Sequence, residues 1–527
     1  MNDIPTPITP MYFYNTFVLP IYFDDSLDSY QKLLKIQYKI NEIIANQTGI
    51  IDWLNQLKQW IDSQLEMYAK ERLNEWLADG TLERIINQEI FGELNDKVNL
   101  LMGQRIYHMN SYVSPDGNTD NTILMQKAIN ESAGHILVID GSSKPYRCNQ
   151  LTLQPNSIYW CQPNAVIKAN DTWITTDRWQ DPLIDIRMIE NVKWFGNNAE
   201  ITMNKPATLV TEHAHCMGTR GSKNVYVENM NLTNASGDGF YLDQYDGDNT
   251  NKPSSDITLK NLNCDGNGRN GISVVSAHDI EIVGCMLSHT KGTAPQAGID
   301  IESELRSPNM QNIKVHDCNF NSNGFCGLLF SGQASNPQTL QTVFIDSCTF
   351  NNENTGVYIN GIKPDSLGNI IVSNCDIRNC QRNSILDGNN SNSGIKRTYI
   401  NCVSLNANSA NRAQNDGNIG EWGWACAFQI YAKDQNCGNV RFINCISDDN
   451  RETPLVKTAF GLTRNPSSTN VINLVELTGC NAYKTSTSVL GSFNDIYGLQ
   501  IDETLPRNRI TPSSTGADFI NAKNNYC

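Results

Sequence analysis

Core-type positions between residues 25 and 106 recur at alternating steps of three and four residues. They are Leu33, Ile36, Ile40, Ile43, Gln47, Ile50, Leu54, Leu57, Ile61, Gln64 and Tyr68. These steps give the 3.5-residue period of a coiled coil, and isoleucine at both kinds of core position favours three or more helices over two. The pattern predicts an α-helical, trimeric coiled-coil stalk over residues 25–106. One long helix lying on a globular domain is the alternative.

Residues 1–24 precede this stalk and alternate prolines with Tyr, Phe and Ile. Proline removes a backbone donor and interrupts helices and central strands, so the segment is predicted to be an extended arm. Such an arm cannot bury its aromatic side chains alone. We therefore expect it to dock on a partner or on symmetry-related copies.

After residue 110 the period of the hydrophobic pattern shortens to two. Six segments share an alternating strand, a turn and a second apolar pair: 224–232, 256–264, 279–287, 312–320, 342–350 and 369–377. One aligned column reads Met230, Leu262, Cys285, Cys318, Cys348, Cys375, Cys402, Cys445 and Cys480. Most neighbours in it are 23 to 35 residues apart, which is the length of one coil of a parallel β-solenoid. The column predicts a ladder of buried free thiols inside the solenoid.

A second strand with the same period supports the repeat. It covers 239–243, 271–275, 298–302, 327–331 and 356–360, each beginning with glycine. Side chains alternate across a strand, so the apolar members are expected to face the core: Phe240, Leu242, Ile299, Ile301, Val357 and Ile359. Their neighbours are expected to point to solvent: Tyr241, Asp243, Asp300, Glu302, Tyr358 and Asn360.

Charge and composition narrow the possible partners. The 527 residues carry a formal net charge of −15, which opposes general binding to phosphate backbones, so no nucleic-acid partner is expected. No apolar run is long enough to span a bilayer, and no membrane partner is expected. Residues 1–19 lack Lys and Arg and contain three prolines, so no secretory signal is predicted. All 16 cysteines follow residue 147.

The repeat resembles the pectate-lyase-like family of right-handed parallel β-helices, specifically those of bacteriophage tailspikes and appendages. Residues 116–129 (DGNTDNTILMQKAI) are similar to the family's opening turn and helix, and residues 295–304 (PQAGIDIESE) to a GIDIE signature. Residues 18–30 and 76–87 look like virion-attachment modules of phages that infect Gram-positive bacteria. The resemblance implies a mainly β fold, with a single-stranded β-helix over 107–490 and a C-terminal cap over 491–527. Such scaffolds host hydrolases, lyases, epimerases and inert adhesins.

Candidate catalytic residues are carboxylates on the second strand. Glycoside hydrolysis needs one carboxylic acid and one carboxylate. Asp300 and Glu302 share a strand face with Cα atoms about 7 Å apart, and Asp243 is expected two coils earlier, about 10 Å from Glu302. The candidate substrate-binding residues are Asp238, Tyr241, Tyr358, Arg269, Arg306, Trp422 and Trp424. Ordinary solvated carboxylates on an acidic surface are the alternative interpretation.

Metal binding is not expected. His213 and His215 fall on one strand face, but a solvent-facing pair without a third ligand is the preferred interpretation. Asp243, Asp246 and Asp248 resemble only a fragment of a calcium loop. No cofactor is predicted, although calcium paired with Arg306 would suit a lyase.

These observations predict a homotrimeric phage tailspike or appendage. It would attach to tail or neck proteins of the virion through residues 1–106 and bind, and cleave, a glycopolymer of the host cell wall such as teichoic acid or exopolysaccharide. It would be made in the host cytoplasm without a signal peptide. A non-catalytic adhesin and a calcium-dependent polysaccharide lyase are the alternatives.

Overall fold

The computed structural model describes residues 11–13, 16–18, 105–171, 181–203, 212–245, 252–302, 310–332, 340–412, 426–456, 458–464, 470, 472–483 and 500–501. The chain divides into two compact units, Met1–Arg105 and Ile106–Cys527. In the first unit, the strands Met11–Phe13 and Thr16–Val18 pair in antiparallel orientation. The stalk predicted over 25–106 lies outside the described residues except for its last two positions. The cap predicted over 491–527 also lies outside them, apart from a two-residue strand.

The second unit is a parallel β-helix in which each regular coil contributes one strand to each of three faces. Face A holds the strands Ile106–His108, Ile136–Ile139, Ile158–Cys161, the first parts of Glu190–Thr202 and Lys223–Thr233, Ser254–Lys260, Ala277–Val283, Met310–His316, Leu340–Asp346, Leu367–Ser373, Lys396–Ile400, Cys437–Ile443, Ile472–Thr478 and Gln500–Ile501. Face B holds Tyr146–Cys148, Val166–Ala169, the last parts of Glu190–Thr202 and Lys223–Thr233, Asn263–Asp265, Met286–Ser288, Asn319–Asn321, Thr349–Asn351, Asp376–Arg378, Val403–Leu405, Ile446–Asp448 and Asn481–Tyr483. Face C holds Leu151–Thr152, Asp181–Arg187, Ala214–Arg220, Phe240–Asp243, Ile272–Val274, Ala297–Glu302, Cys326–Ser331, Thr355–Asn360, Ile385–Gly388, Cys426–Ala432 and Thr458–Arg464.

The first coils are accompanied by two short helices. A 3-10 helix spans Met109–Ser111 and an α-helix spans Thr122–Glu131. The α-helix buries Met125, Ala128 and Ile129, which are spaced three and four residues apart on one helix face. This confirms the short helix that the sequence predicts at the entry to the repeat.

The lumen confirms the predicted column of thiols. Met230 and Leu262 and the seven cysteines that follow them in the column are all buried. Backbone hydrogen bonds stack the column coil by coil: the Asn319 N–H donates to the Cys285 carbonyl, and the Thr349 N–H donates to the Cys318 carbonyl. All 15 described cysteines are free and buried, and burial raises the pKa of thiols such as Cys264. The ladder is thus a packing feature of the lumen.

The residue before each stacked side chain turns the backbone from face A to face B. These residues all have positive φ: Asn229, Asn261, Gly284, Asp317, Ser347, Asn374, Asn401, Asn444 and Gly479. Asparagine, aspartate and glycine tolerate this left-handed conformation best, so the bend between faces A and B recurs with them. Some of the bend side chains also bond between coils, and Asn401 Nδ2 donates to Asn374 Oδ1 at 3.0 Å.

The exposure predicted for the outer side of face C is wrong for four residues. Tyr241, Asp243, Asp300 and Tyr358 are 4%, 0%, 1% and 7% exposed, whereas Glu302 and Asn360 are partly exposed. The alternation itself is correct, because the intervening apolar residues belong to the lumen core. A second apolar cluster packs on the outer side: Ala297, Cys326, Leu329, Tyr358, Leu386 and Tyr431. Alternation reports the side of the sheet that a residue faces, not what covers that side.

Candidate active site on face C

Strand register gathers the candidate residues on the outer side of face C. Tyr241 pairs with Ser273, and Ser273 pairs with Asp300, so these residues form one row across three coils. Asp243 is therefore two coils from the level of Glu302, as the repeat predicts. Parallel strands lie about 4.8 Å apart, which separates these two levels by about 10 Å.

An arginine links two buried carboxyl groups at the centre of this row. Arg269 Nη1 donates to Asp238 Oδ2 at 3.1 Å, and Arg269 Nη2 lies 3.6 Å from Asp300 Oδ2. Asp238 and Asp300 are 0% and 1% exposed, and the Arg269 side chain is 13% exposed. Three sequence-predicted residues therefore form one ion-paired cluster.

Two further residues, which the sequence analysis did not select, complete the hydrogen bonding. The backbone N–H of Asn270 donates to Asp238 Oδ1 at 2.9 Å, and its Nδ2 donates to Ser273 Oγ at 3.0 Å and to Asp300 Oδ2 at 3.3 Å. The Ala297 N–H donates to Asn270 Oδ1 at 2.8 Å, which fixes the orientation of the amide. The sequence shows Asn270 and Ser273 as polar residues beside apolar strand positions. Their spacing does not show that they contact Asp238 and Asp300.

His215 is a buried neighbour of the same cluster, so the predicted solvent-facing histidine pair is wrong. The Asp238 N–H donates to His215 Nδ1 at 3.0 Å, and the imidazole stacks on Tyr241 with ring centroids 4.4 Å apart. Burial and then the charge of Arg269 hold the pKa of His215 well below its usual range. The ring is therefore neutral with its proton on Nε2, and its 3.4 Å approach to the Asp238 carboxylate is not an ion pair.

Asp300 and Asp238 differ in the contacts that stabilise the ionised form of each carboxyl group. Burial raises the pKa of Asp300 to about 7; Arg269 opposes this shift, and the nearby Glu302 and Asp238 carboxylates add to it. Burial also raises the pKa of Asp238, against the opposing effect of Arg269. Asp238 receives donors on both oxygens, whereas Asp300 Oδ1 has no hydrogen-bond partner among the described residues. The hydrogen bonds stabilise the charged form of Asp238 more than that of Asp300, and a pKa of about 7 leaves Asp300 partly protonated near neutral pH.

Glu302 and Asp243 lie beside this cluster with different surroundings. Glu302 is partly exposed and accepts from Ser331 Oγ at 3.5 Å. Asp243 is buried and accepts from the Tyr241 hydroxyl at 3.0 Å and from the Gln244 N–H at 2.7 Å. Glu302 is thus the most accessible of the three predicted catalytic carboxylates.

Tyr358 lies farther along face C. It is two coils beyond Asp300 in the same row, and it contacts Phe325 edge to face with ring centroids 5.7 Å apart. It is 7% exposed, so it packs in the outer apolar cluster and does not present an open stacking platform.

The remaining candidates are not located by the structure. Arg306, Trp422, Trp424, Asp246 and Asp248 lie outside the described residues. Within the described ranges, no group of three or more His, Cys, Asp or Glu side chains is arranged to hold a metal ion. In those ranges, too, no helix has the length and apolar character needed to cross a membrane.

The arrangement can supply proton transfer and hydrogen bonding. Asp300 offers a proton near neutral pH, and Glu302 offers a carboxylate two residues away on the same side of the strand. Arg269 and Asn270 orient the Asp300 side chain. This is the pair of groups that glycoside hydrolysis requires.

Comparison with known proteins agrees with this fold. Residues 250–344 match a family model described as "Right handed beta helix region". The preneck appendage proteins of Bacillus phages PZA and phi29 are each 25% identical over 318 residues, covering 57% of this chain and 36% of each relative. The match thus spans little more than a third of the relatives' length.

Solved structures with this fold have diverse functions. A family 28 exopolygalacturonase of Yersinia enterocolitica superposes with a TM-score of 0.54 at 11% identity, covering 75% of this chain and 78% of the enzyme. The Streptococcus pneumoniae adhesin PfbA has a TM-score of 0.50 at 12% identity, over 76% and 100% of the two chains. The Dettilon tailspike protein has a TM-score of 0.50 at 14% identity, over 72% and 68%. The chain is thus a right-handed parallel β-helix protein that is similar in sequence, over 57% of its length, to preneck appendage proteins of Bacillus phages.

Proposed function

We propose that this chain is a virion appendage that binds and cleaves a glycopolymer on the surface of a Gram-positive host. The observation that carries the catalytic part is the pairing of a carboxyl group that holds its proton near neutral pH, Asp300, with the partly exposed carboxylate of Glu302. The similarity to preneck appendage proteins supports the virion location. Attachment through residues 1–106 and assembly as a homotrimer are parts of the same proposal.

Asp300 would act as the general acid. A carboxyl group with an ordinary pKa is ionised at pH 7 and has no proton to give to a leaving oxygen, whereas a pKa of about 7 leaves a large protonated fraction. Asp300 Oδ1 has no partner among the described residues, but it is a buried atom, so a glycosidic oxygen would reach it only after the side chains that cover it move aside. Arg269 would keep the carboxyl group in place through its contact with Oδ2.

Glu302 would act as the base or the nucleophile. Its partial exposure gives water or a sugar access from the solvent side of the strand. Asp243 lies two coils away, and because it and Tyr241 are both buried, it would assist from inside the site through its hydrogen bond with the Tyr241 hydroxyl. The substrate would thus approach from the side of Glu302, because Asp300 itself is nearly inaccessible.

A non-catalytic adhesin is the second candidate. Asp238 and Arg269 form a buried, hydrogen-bonded ion pair of the kind that also holds purely structural networks together. The fold is shared with the Streptococcus pneumoniae surface adhesin PfbA. An adhesin would bind the host polymer without shortening it.

Product sizing separates these functions. The purified chain is incubated with wall polymers and exopolysaccharides of candidate hosts, and chain length and new reducing ends are measured. Asp300→Asn and Glu302→Gln should each lower the rate at least about a hundredfold without loss of polymer binding. Asp448→Asn, on face B, is the matched control and should cleave at the wild-type rate.

Three outcomes would redirect the proposal. Wild-type cleavage by the Asp300→Asn/Glu302→Gln double variant would remove these residues from the mechanism. Polymer binding by the wild type with unchanged chain length would establish the adhesin. A near-ultraviolet-absorbing unsaturated product that disappears with a chelator would indicate a calcium-dependent lyase.

A further inference from the structure

His215 is a buried residue that the catalytic proposal does not use. Its side chain is 0% exposed and lies parallel to the Tyr241 ring, with an interplanar angle of 3° and ring centroids 4.4 Å apart. Gly237 leaves room for the imidazole, because a Cβ atom at this glycine would lie 2.9 Å from His215 Nδ1. The stacked tyrosine and the close backbone together fix the direction in which Nδ1 points.

Nδ1 of His215 points at the backbone of Asp238. It accepts the Asp238 N–H at 3.0 Å, and the pairing of the two chain segments supports this contact. The Cys216 N–H donates to the Asp238 carbonyl at 3.0 Å, and the Gly237 N–H donates to the Ala214 carbonyl at 2.7 Å. Because Nδ1 accepts a hydrogen bond only while it carries no proton, the contact with the Asp238 N–H requires a neutral ring.

Asp238 is the closer of the two carboxyl groups that face Arg269. Arg269 Nη1 donates to Asp238 Oδ2 at 3.1 Å, whereas Arg269 Nη2 stays 3.6 Å from Asp300 Oδ2. Opposite charges attract more strongly as they approach, above all in a buried site. An arginine engaged by Asp238 therefore stabilises an ionised Asp300 less than an arginine that paired with Asp300 directly.

We propose that His215 is a positioning residue for the candidate acid, because it fixes the Asp238 backbone so that the Asp238 carboxyl group engages Arg269 in preference to Asp300. The inference rests on the proposed function and deepens it. Without this backbone contact Asp238 would move, Arg269 would turn toward Asp300, and Asp300 would lose its proton at a lower pH. An ionised Asp300 has no proton to donate to a leaving oxygen. His215 itself exchanges no proton in this role.

Two sets of titratable groups determine these charges. Those around His215 are Asp238, Tyr241, His213, Arg220 and Arg269. Those around Asp300 are Asp238, Arg269, Glu302 and Cys326. Asp238 and Arg269 belong to both sets. Displacement of Asp238 would bring the cation closer to Asp300 and take an anion away from it, and both changes lower the pKa of Asp300.

The pH dependence of cleavage by two variants of the full-length chain tests this role. His215→Phe keeps a stacked ring and removes the acceptor of the Asp238 N–H, whereas His215→Asn supplies a side-chain oxygen as acceptor in place of Nδ1. The rate of cleavage of host wall polymer should fall on the basic side of about pH 7 in the wild type. In His215→Phe this limb should move to lower pH by roughly one unit or more.

Two controls accompany this shift. His215→Asn should keep the basic limb at the wild-type pH, whatever its total rate. His289→Phe changes an exposed histidine that is paired with Asp265, and it should also leave the limb in place.

Unfolding stability gives a second measurement that does not depend on cleavage. The free energy of unfolding that distinguishes each protein from its Asp300→Asn counterpart is measured by denaturant titration from pH 5 to 8. Its fall with rising pH should level off roughly one pH unit lower in the His215→Phe background than in the wild type. Gly237→Ala crowds Nδ1 and should shift the curve in the same direction, so it replaces His215→Phe if that variant does not fold.

Two results would overturn the inference: unshifted curves for both His215→Phe and Gly237→Ala, or equal shifts for His215→Phe and His215→Asn. The proposed function fails separately, if the stability curve shifts as expected but the wild type cleaves no host polymer. If the wild type cleaves and neither measurement shifts, the proposed function stands and His215 has no part in positioning the acid.

Discussion

At the scale of single residues, burial determines which carboxyl groups keep a proton. Asp300 and Glu353 are both nearly inaccessible, and burial raises their pKa values to about 7 and about 8. Glu353 keeps a raised pKa although Asn323 donates to both of its oxygens, at 3.0 and 2.9 Å. Desolvation therefore outweighs two neutral hydrogen bonds at Glu353, and outweighs the more distant arginine at Asp300.

The raised pKa of Asp300 predicts a pH-dependent stability. The folded state holds this proton with a pKa of about 7, against an ordinary value of 3.8. The stability contributed by the proton is therefore complete below about pH 4 and is lost as the pH rises through about 7. Between pH 5 and 8, Asp300→Asn should lose less free energy of unfolding than the wild type, by up to about 3 kcal/mol. Denaturant titration at each pH measures this difference.

The comparison has an internal reference and a control. Glu353 titrates in the same direction in both proteins, so its effect cancels in the difference. Asp448→Asn should show the wild-type pH dependence. Parallel stability curves for Asp300→Asn and the wild type would mean that Asp300 is already ionised at pH 5.

At the scale of elements, the coil is the unit of packing. One coil carries two charged residues at lumen positions where the neighbouring coils have apolar residues. Asp387 takes the lumen position that Ile359 and Ile430 occupy in neighbouring coils, and Arg397 lies in the row of Ile370 and Val440. Both charged side chains are fully buried.

The pair is completely hydrogen-bonded. Arg397 donates to both Asp387 oxygens at 3.1 Å, and Tyr399 and Asn390 each donate to Asp387 at 2.8 Å. Arg397 Nη2 also donates to the Gly438 carbonyl on the next coil of face A at 2.5 Å. The network joins neighbouring coils through polar contacts inside an otherwise apolar lumen.

Breaking this pair on one side should be more harmful than removing it. Asp387→Leu leaves a buried guanidinium without its carboxylate and should cost about 3–5 kcal/mol, whereas Asp387→Leu/Arg397→Met should cost less than the single change. Asp376→Leu breaks the exposed pair with Arg378 and should cost less than about 1 kcal/mol. The shift in denaturant midpoint measures all three. Additive losses in the double variant would contradict the argument.

At the scale of the whole molecule, the β-helix builds a surface in which equivalent positions line up along successive coils. A binding face can therefore extend over many coils, and this suits a polymer better than a small molecule. The similar folds of an exopolygalacturonase and an adhesin show that the scaffold does not determine the activity.

The sequence of the stalk predicts how the whole molecule assembles. The full chain should sediment with three times the mass of one chain, because isoleucine occupies both kinds of core position. Ile40→Asp should shift the population to monomers by placing a charge in the predicted core. Asn41→Asp adds the same residue at an outward position and should remain trimeric. Equal masses for the two variants, or a dimeric wild type, would contradict the predicted stalk. Analytical ultracentrifugation measures each mass.

The amino-acid pattern by itself determined the coil period, the sides of each strand and the stacked thiols, because these depend on local alternation and on repeat spacing. It also selected Asp238, Arg269 and Asp300. Only the tertiary structure decided that they touch one another, that His215 and Asn270 join them, and that the outer side of face C is covered. Contacts between coils join residues roughly 30 positions apart, and burial depends on everything that packs on a sheet. No local pattern encodes the contacts between coils or the burial of a residue. The raised pKa of Asp300 follows from these contacts and from its burial.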